Sequence, residues 1–119
     1  MRFEQRKFSI ERRVASFLRI KTNGRNRPEA DRMIRTAIAD FEFVVAASTP
    51  GWSKLSEHGR GELLGALADG WLLLGDVDKA RPYLDRMAAE LPDTPYARNA
   101  ALHRADLAAK VPLTCLGCH

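Results

Sequence analysis

Apolar residues recur along this chain every three or four positions, in stretches punctuated by glycine and proline, the pattern of amphipathic helices packed on one another. In the first stretch, residues 9–20, Ile10, Val14, Phe17 and Leu18 fall at helical spacing, with Arg12, Arg13 and Arg19 elsewhere around the wheel. Residues 21–27 read as a linker, with Asn23-Gly24 as its turn signal. A second helix is expected from Pro28, which a first turn tolerates, with Glu29 and Asp31 at its positive end. Ile34, Ala37, Ile38, Phe41, Val44 and Val45 form its stripe, and Thr49-Pro50-Gly51 stops it. Residues 51–60 read as a loop carrying Trp52, Leu55 and His58, with Trp52 and Leu55 expected to tuck over the apolar face beneath them and His58 to face solvent.

From Gly61 the pattern is that of a helical hairpin. Leu64, Leu67, Ala68, Trp71 and Leu74 share one helix face. Gly75-Asp76 closes that helix, glycine because it accepts the left-handed conformation and aspartate because it can cap the next helix. The return helix carries Ala80, Leu84, Met87 and Leu91, then stops at Pro92; Pro82 is a local misfit that removes one backbone donor near the first turn. Thr94-Pro95 announces a last helix with Ala97, Ala101, Ala105 and Ala108 as a small-residue stripe, ended by Lys110-Val111-Pro112. The expected fold is therefore all-α, a short antiparallel stack of four to five helices. Its parts are a basic arm (1–27), a helical domain (28–111) and a C-terminal tail (112–119).

Residues 61–94 resemble a tetratricopeptide repeat, a helix–turn–helix unit of about 34 residues with small and large residues at fixed places. Leu64 stands where that family often has tryptophan, and Leu67 and Ala68 occupy its Leu-Gly pair. Trp71 takes the aromatic slot, Gly75-Asp76 the turn, Ala80 the small contact residue, Leu84 the large apolar one and Pro92 the terminal proline. Met87, where alanine is usual, departs from the pattern and implies a wider contact. Ala37, Phe41 and Val44 repeat the spacing of Ala80, Leu84 and Met87, so the helix from Pro28 resembles the second half of a preceding repeat. The resemblance implies a docking body for a protein partner, within a larger complex.

Composition changes this picture only at the two ends of the chain. At 119 residues, 45% hydrophobic and 29% charged, the chain has the make-up of one globular domain, and no run approaches the roughly 20 apolar residues that span a bilayer. Charge is uneven: residues 1–27 hold nine Lys/Arg against Glu4 and Glu11, while the remainder holds ten basic and thirteen acidic residues. Such an arm suits an acidic protein partner or an anionic membrane surface, engaged through residues 1–20. No aromatic interleaving or nucleic-acid motif accompanies it, so nucleic acid is not expected. The basic start lacks the apolar block of a secretory signal.

The recognisable chemistry lies in Cys115-Leu116-Gly117-Cys118-His119, the C-x-x-C-H pattern of c-type haem attachment, and it contains both cysteines of the chain. Two thiols one helical turn apart can reach the two vinyl groups of one porphyrin edge, and His119 then stands as axial ligand to the iron. Zinc, and a thiol pair or disulfide, are the competing uses of these residues. His103 is a further candidate ligand, weighed against a solvated surface position; Met87, in principle an iron ligand, is expected to pack in the core. No phosphate loop, serine-nucleophile motif or metalloprotease motif is present, so the chain is not expected to be an enzyme. The sequence thus points to an electron-transfer or haem-carrying protein, extracytoplasmic if haem is attached and otherwise cytoplasmic. The alternative is a non-catalytic interaction module.

Overall fold

Leucine, alanine and glycine occupy every face of the stretch Glu57–Leu73, and in the computed structural model this is the helix that the others surround. A helix apolar all round must be buried all round. The structure describes residues 27–107, 109 and 111–114. Over these the protein is all-α: α1 (Arg27–Ala47), a 3-10 helix (Thr49–Lys54), α2 (Glu57–Leu73), α3 (Val77–Glu90) and α4 (Pro95–Ala105). The expected helix at 9–20, Ala108, Lys110 and the C-x-x-C-H motif lie outside the described residues.

Central α2 divides the core in two. On one side Leu63, Ala66 and Leu67 pack with Ile34, Ile38 and Phe41 of α1 and with Leu55. On the other, Leu64 and Ala68 pack with Leu84 and Met87 of α3, Ala100 of α4 and Leu113. Each fully buried leucine contributes about 1.5–3 kcal/mol. An exposed ion pair such as Arg104–Asp85 contributes about 0–1 kcal/mol. Apolar faces, not surface charges, therefore set the helix order.

Local chemistry places the turns. Leu74 ends α2, and Gly75 follows at φ 79°, a left-handed conformation natural to glycine. The Gly75 amide donates to Leu72 O at 3.0 Å and that of Asp76 to Trp71 O at 2.9 Å, which is a Schellman closure. Asp76 then caps α3 by accepting from the Lys79 amide at 3.1 Å. Thr94 caps α4 in the same way, with Pro95 in its first turn. Pro82 sits within α3 with its ring exposed, so it removes one backbone donor without disturbing the core.

Three expectations are corrected. Residues 51–60 are not a loop: the 3-10 helix fills their first part, and α2 begins at Glu57, its amide end capped by Ser56, which accepts from Gly59 N at 3.0 Å. The alanine stripe of the last helix does not face inward: Ala101 and Ala105 are exposed, and Ala100 and His103 are buried instead. That helix also stops at Ala105, where Asp106 N closes on Leu102 O at 2.9 Å, and not at Lys110. Trp52 and Leu55 do tuck inward, Leu55 being 3% exposed, and Met87 packs in the core.

Trp52 fastens the 3-10 helix to the end of α3. Its Nε1–H donates to Glu90 Oε1 at 2.6 Å, Arg86 Nε donates to Glu90 Oε2 at 2.6 Å, and the Arg86 guanidinium stands 5.0 Å from the Trp52 ring centroid. Burial alone pushes the Glu90 carboxyl up. The hydrogen bonds from Arg86 and Trp52, with the charges of Arg86 and Arg60, outweigh it and hold the carboxyl below the usual range.

Two outcomes follow from this packing. Ala80 is fully buried, so Ala80→Arg overpacks the core and buries a charge. It is expected to lower unfolding free energy by at least about 3 kcal/mol. A denaturation midpoint shifted no more than in exposed Lys79→Arg would contradict that packing. Because the folded Glu90 carboxyl is depressed, its contribution is present above the unfolded value of about 4.3 and lost as pH falls through the lower folded value. Thermal midpoints measured down that window should fall less steeply in Glu90→Gln than in the wild type.

Candidate functional site

Gly61 and Gly65 are one turn apart on α2 and present the same face, a strip of bare backbone. Two groups occupy it. A Cβ on Gly61 would stand 2.5 Å from Tyr96 Cδ2, so the Tyr96 ring lies directly on the α2 backbone. A Cβ on Gly65 would collide with the Leu113 carbonyl, so the chain after α4 lies there too.

Residues 111–114 are thus part of the packed body. His103 Nε2 lies 2.7 Å from Val111 O; a carbonyl only accepts, so this nitrogen carries the proton and donates. Asn99 Nδ2 donates to Pro112 O at 2.9 Å. Leu113 is 4% exposed and packs among Leu64, Ala68, Leu84, Met87 and Ala100. Thr114 is equally buried, at 4%. Leu113 and Thr114, within the segment expected as a tail, are therefore buried against the helices.

His103 is not the solvated residue expected of its position. It is 6% exposed because Ala100 and His103, three residues apart, form the inner face of α4. Its Nε2–H is committed to the chain just before the motif, and the buried Nδ1 has no hydrogen-bond partner among the described residues. Donation of one ring N–H to a backbone carbonyl leaves the other nitrogen its lone pair, the form a metal ligand needs. Ligation by His103 would therefore come through Nδ1.

His58, expected in a loop, stands in the first turn of α2 and is half-buried. Tyr96 Oη lies 3.1 Å from His58 Nδ1 and donates to Glu62 Oε1 at 2.8 Å; with its single proton so used, Tyr96 accepts from a protonated Nδ1. Glu62 is fully buried, and this chain of bonds ties α4 to the start of α2 beside the glycine strip. Periodicity does not reveal Tyr96, Glu62 or Asn99 as members of this region. The legible signal is Gly61 and Gly65 at helical spacing in an otherwise apolar helix, the mark of close backbone approach.

Cys115, Cys118 and His119 lie outside the described residues. Among those described, no three His, Cys, Asp or Glu side chains converge as a metal site, and no helix is long and apolar enough to cross a membrane. Comparison with known proteins yields no counterpart: no family model matches the chain, and neither does any curated protein or solved structure.

The glycine strip makes a sign prediction. Gly→Ala in an open helix interior stabilises by roughly 0.5–1 kcal/mol. At Gly65 the new methyl meets the Leu113 backbone, and displacing it should destabilise by about 1–3 kcal/mol. A denaturation midpoint that rises in Gly65→Ala would show that residues 111–114 do not occupy this strip.

Proposed function

We propose that the chain carries one c-type haem bound covalently through Cys115 and Cys118, with His119 as axial ligand, and acts as an electron-transfer protein or subunit. The observation that carries the reading is the donor set: both cysteines of the chain fall in one C-x-x-C-H, two thioether-forming thiols followed at once by an imidazole. The haem would supply one-electron chemistry; the chain's own residues would hold and orient it. Covalent attachment then assigns the protein to an extracytoplasmic compartment.

The helical body would serve as a tetratricopeptide-like docking unit. Its support is the Schellman turn at Gly75, the fully buried Ala80 and Leu84 at the hairpin contact, and the cap at Asp76. The basic arm, residues 1–20, would add attraction to an acidic partner or an anionic membrane surface.

A second reading is favoured by a separate observation. Phe43 is 70% exposed, Leu102 51% and Met33 44%, apolar surface of the kind an interaction module buries on a partner. In that reading the terminal Cys and His residues hold zinc or are incidental.

Absorption spectra separate the two. Protein from its native source, or from a host with a cytochrome c maturation system, should show a Soret band that resists acid-acetone extraction and a mass raised by one haem. Cys115→Ala or Cys118→Ala should leave a singly attached or lost haem. Colourless protein that binds one zinc, released on cysteine substitution, would transfer the assignment to the interaction module.

A further inference from the structure

Thr114 is buried in the groove between α2 and α4, and consecutive Cα atoms are about 3.8 Å apart. Cys115 therefore follows, by one Cα step, a residue buried in the body.

The hold on this chain is specific. Two main-chain carbonyls, Val111 O and Pro112 O, each receive a side-chain donor from α4, His103 Nε2 at 2.7 Å and Asn99 Nδ2 at 2.9 Å. Those donors are four residues apart on one helix face, and the carbonyls belong to adjacent residues. Leu113 enters the core between them and α2, and its own carbonyl faces Gly65, where any larger residue would collide. Side-chain donors, an apolar pocket and a bare backbone strip together set the position of four consecutive residues.

We propose that residues 111–114 are a positioning strap, held by His103 and Asn99 and seated on Gly65, that fixes where the C-x-x-C-H group meets the body. The proposal rests on the haem reading for the identity of that group, but not for the strap itself. His103 acts here through Val111, which its Nε2–H holds, and is a positioning residue. Held against the body, an attached haem loses water from one edge, and burial of that kind raises its reduction potential.

The test uses the full chain in two forms. In haem-free protein, amide exchange at Val111, Leu113 and Thr114 should speed up in His103→Ala by roughly five- to tenfold, the effect of one lost hydrogen bond. Alkylation of Cys115 should accelerate too, with helicity retained. His103→Gln keeps a donor at the place of Nε2 and should restore both, and Asn99→Ala, a half-buried site, gives a milder version should His103→Ala fail to fold. In haem-loaded protein, His103→Ala should lower the midpoint potential and His103→Gln should return it toward wild type.

Unchanged exchange and alkylation in both His103→Ala and Asn99→Ala would overturn the strap. A His103→Gln protein that keeps slow exchange yet loses a six-coordinate spectrum would make the imidazole itself a ligand and overturn the positioning role. If wild-type protein from a competent host carries no haem, the haem reading falls, and the exchange and alkylation results still decide the strap.

Discussion

Everything in this fold depends on close approach to the backbone of α2. That helix contains Gly59, Gly61, Gly65 and Gly70. Each interior glycine weakens an isolated helix by roughly 0.5–1 kcal/mol relative to alanine. Local propensity therefore does not hold α2 together; its neighbours do. The absence of side chains at Gly61 and Gly65 lets an aromatic ring and the chain after α4 lie against the helix where larger residues would hold them off. The leucines on the remaining faces, Leu63, Leu64 and Leu67, are fully buried as a result. The stability forgone in local propensity is recovered in tertiary contact.

Polar groups are placed so that this dense centre is also oriented. Glu62 is buried at the start of α2 and receives the Tyr96 hydroxyl, which fixes the ring over Gly61. Glu90 receives both Trp52 and Arg86, which fixes the 3-10 helix against α3. Arg86–Glu90 is partly exposed and contributes little as an ion pair alone. Its value is geometric, since the carboxylate is shared with an indole N–H that apolar packing would leave free to rotate. His103 and Asn99 do the same for the chain beyond α4, through backbone carbonyls instead of side chains.

This arrangement alters how the C-terminal chemistry is understood. From the residues alone, Cys115 to His119 belong to a tail beginning at Pro112, separate from the helical body. With Leu113 among the core residues and Thr114 buried, the chain is part of the packed body up to the residue before the motif. The glycine strip of α2 is covered by the protein's own chain, by Tyr96 at Gly61 and by Leu113 and Thr114 at Gly65. Apolar surface remains elsewhere, at Phe43 on α1 and Leu102 on α4.

What the sequence by itself determined is what a few adjacent residues can decide. Gly75-Asp76 specified both a helix end and the next helix start, because the closing hydrogen bonds and the cap all fall between Trp71 and Lys79. Thr94-Pro95 specified the start of α4, and the Leu84/Met87 stripe named its own buried face by period alone. The tertiary structure decided the face of α4, where alanines on several sides gave no contrast. Burial went to Ala100 and His103 because α2 and the returning chain lie there. It also decided that Glu57 to Arg60 are helical, since glycines at positions 59 and 61 weaken that start until Tyr96 packs on it. The physical reason is range: caps and turns are closed by neighbours in sequence. Whether a histidine is buried, or a tail belongs to the core, depends on surfaces brought together from 30 or more residues away, as Tyr96 and Glu62 are.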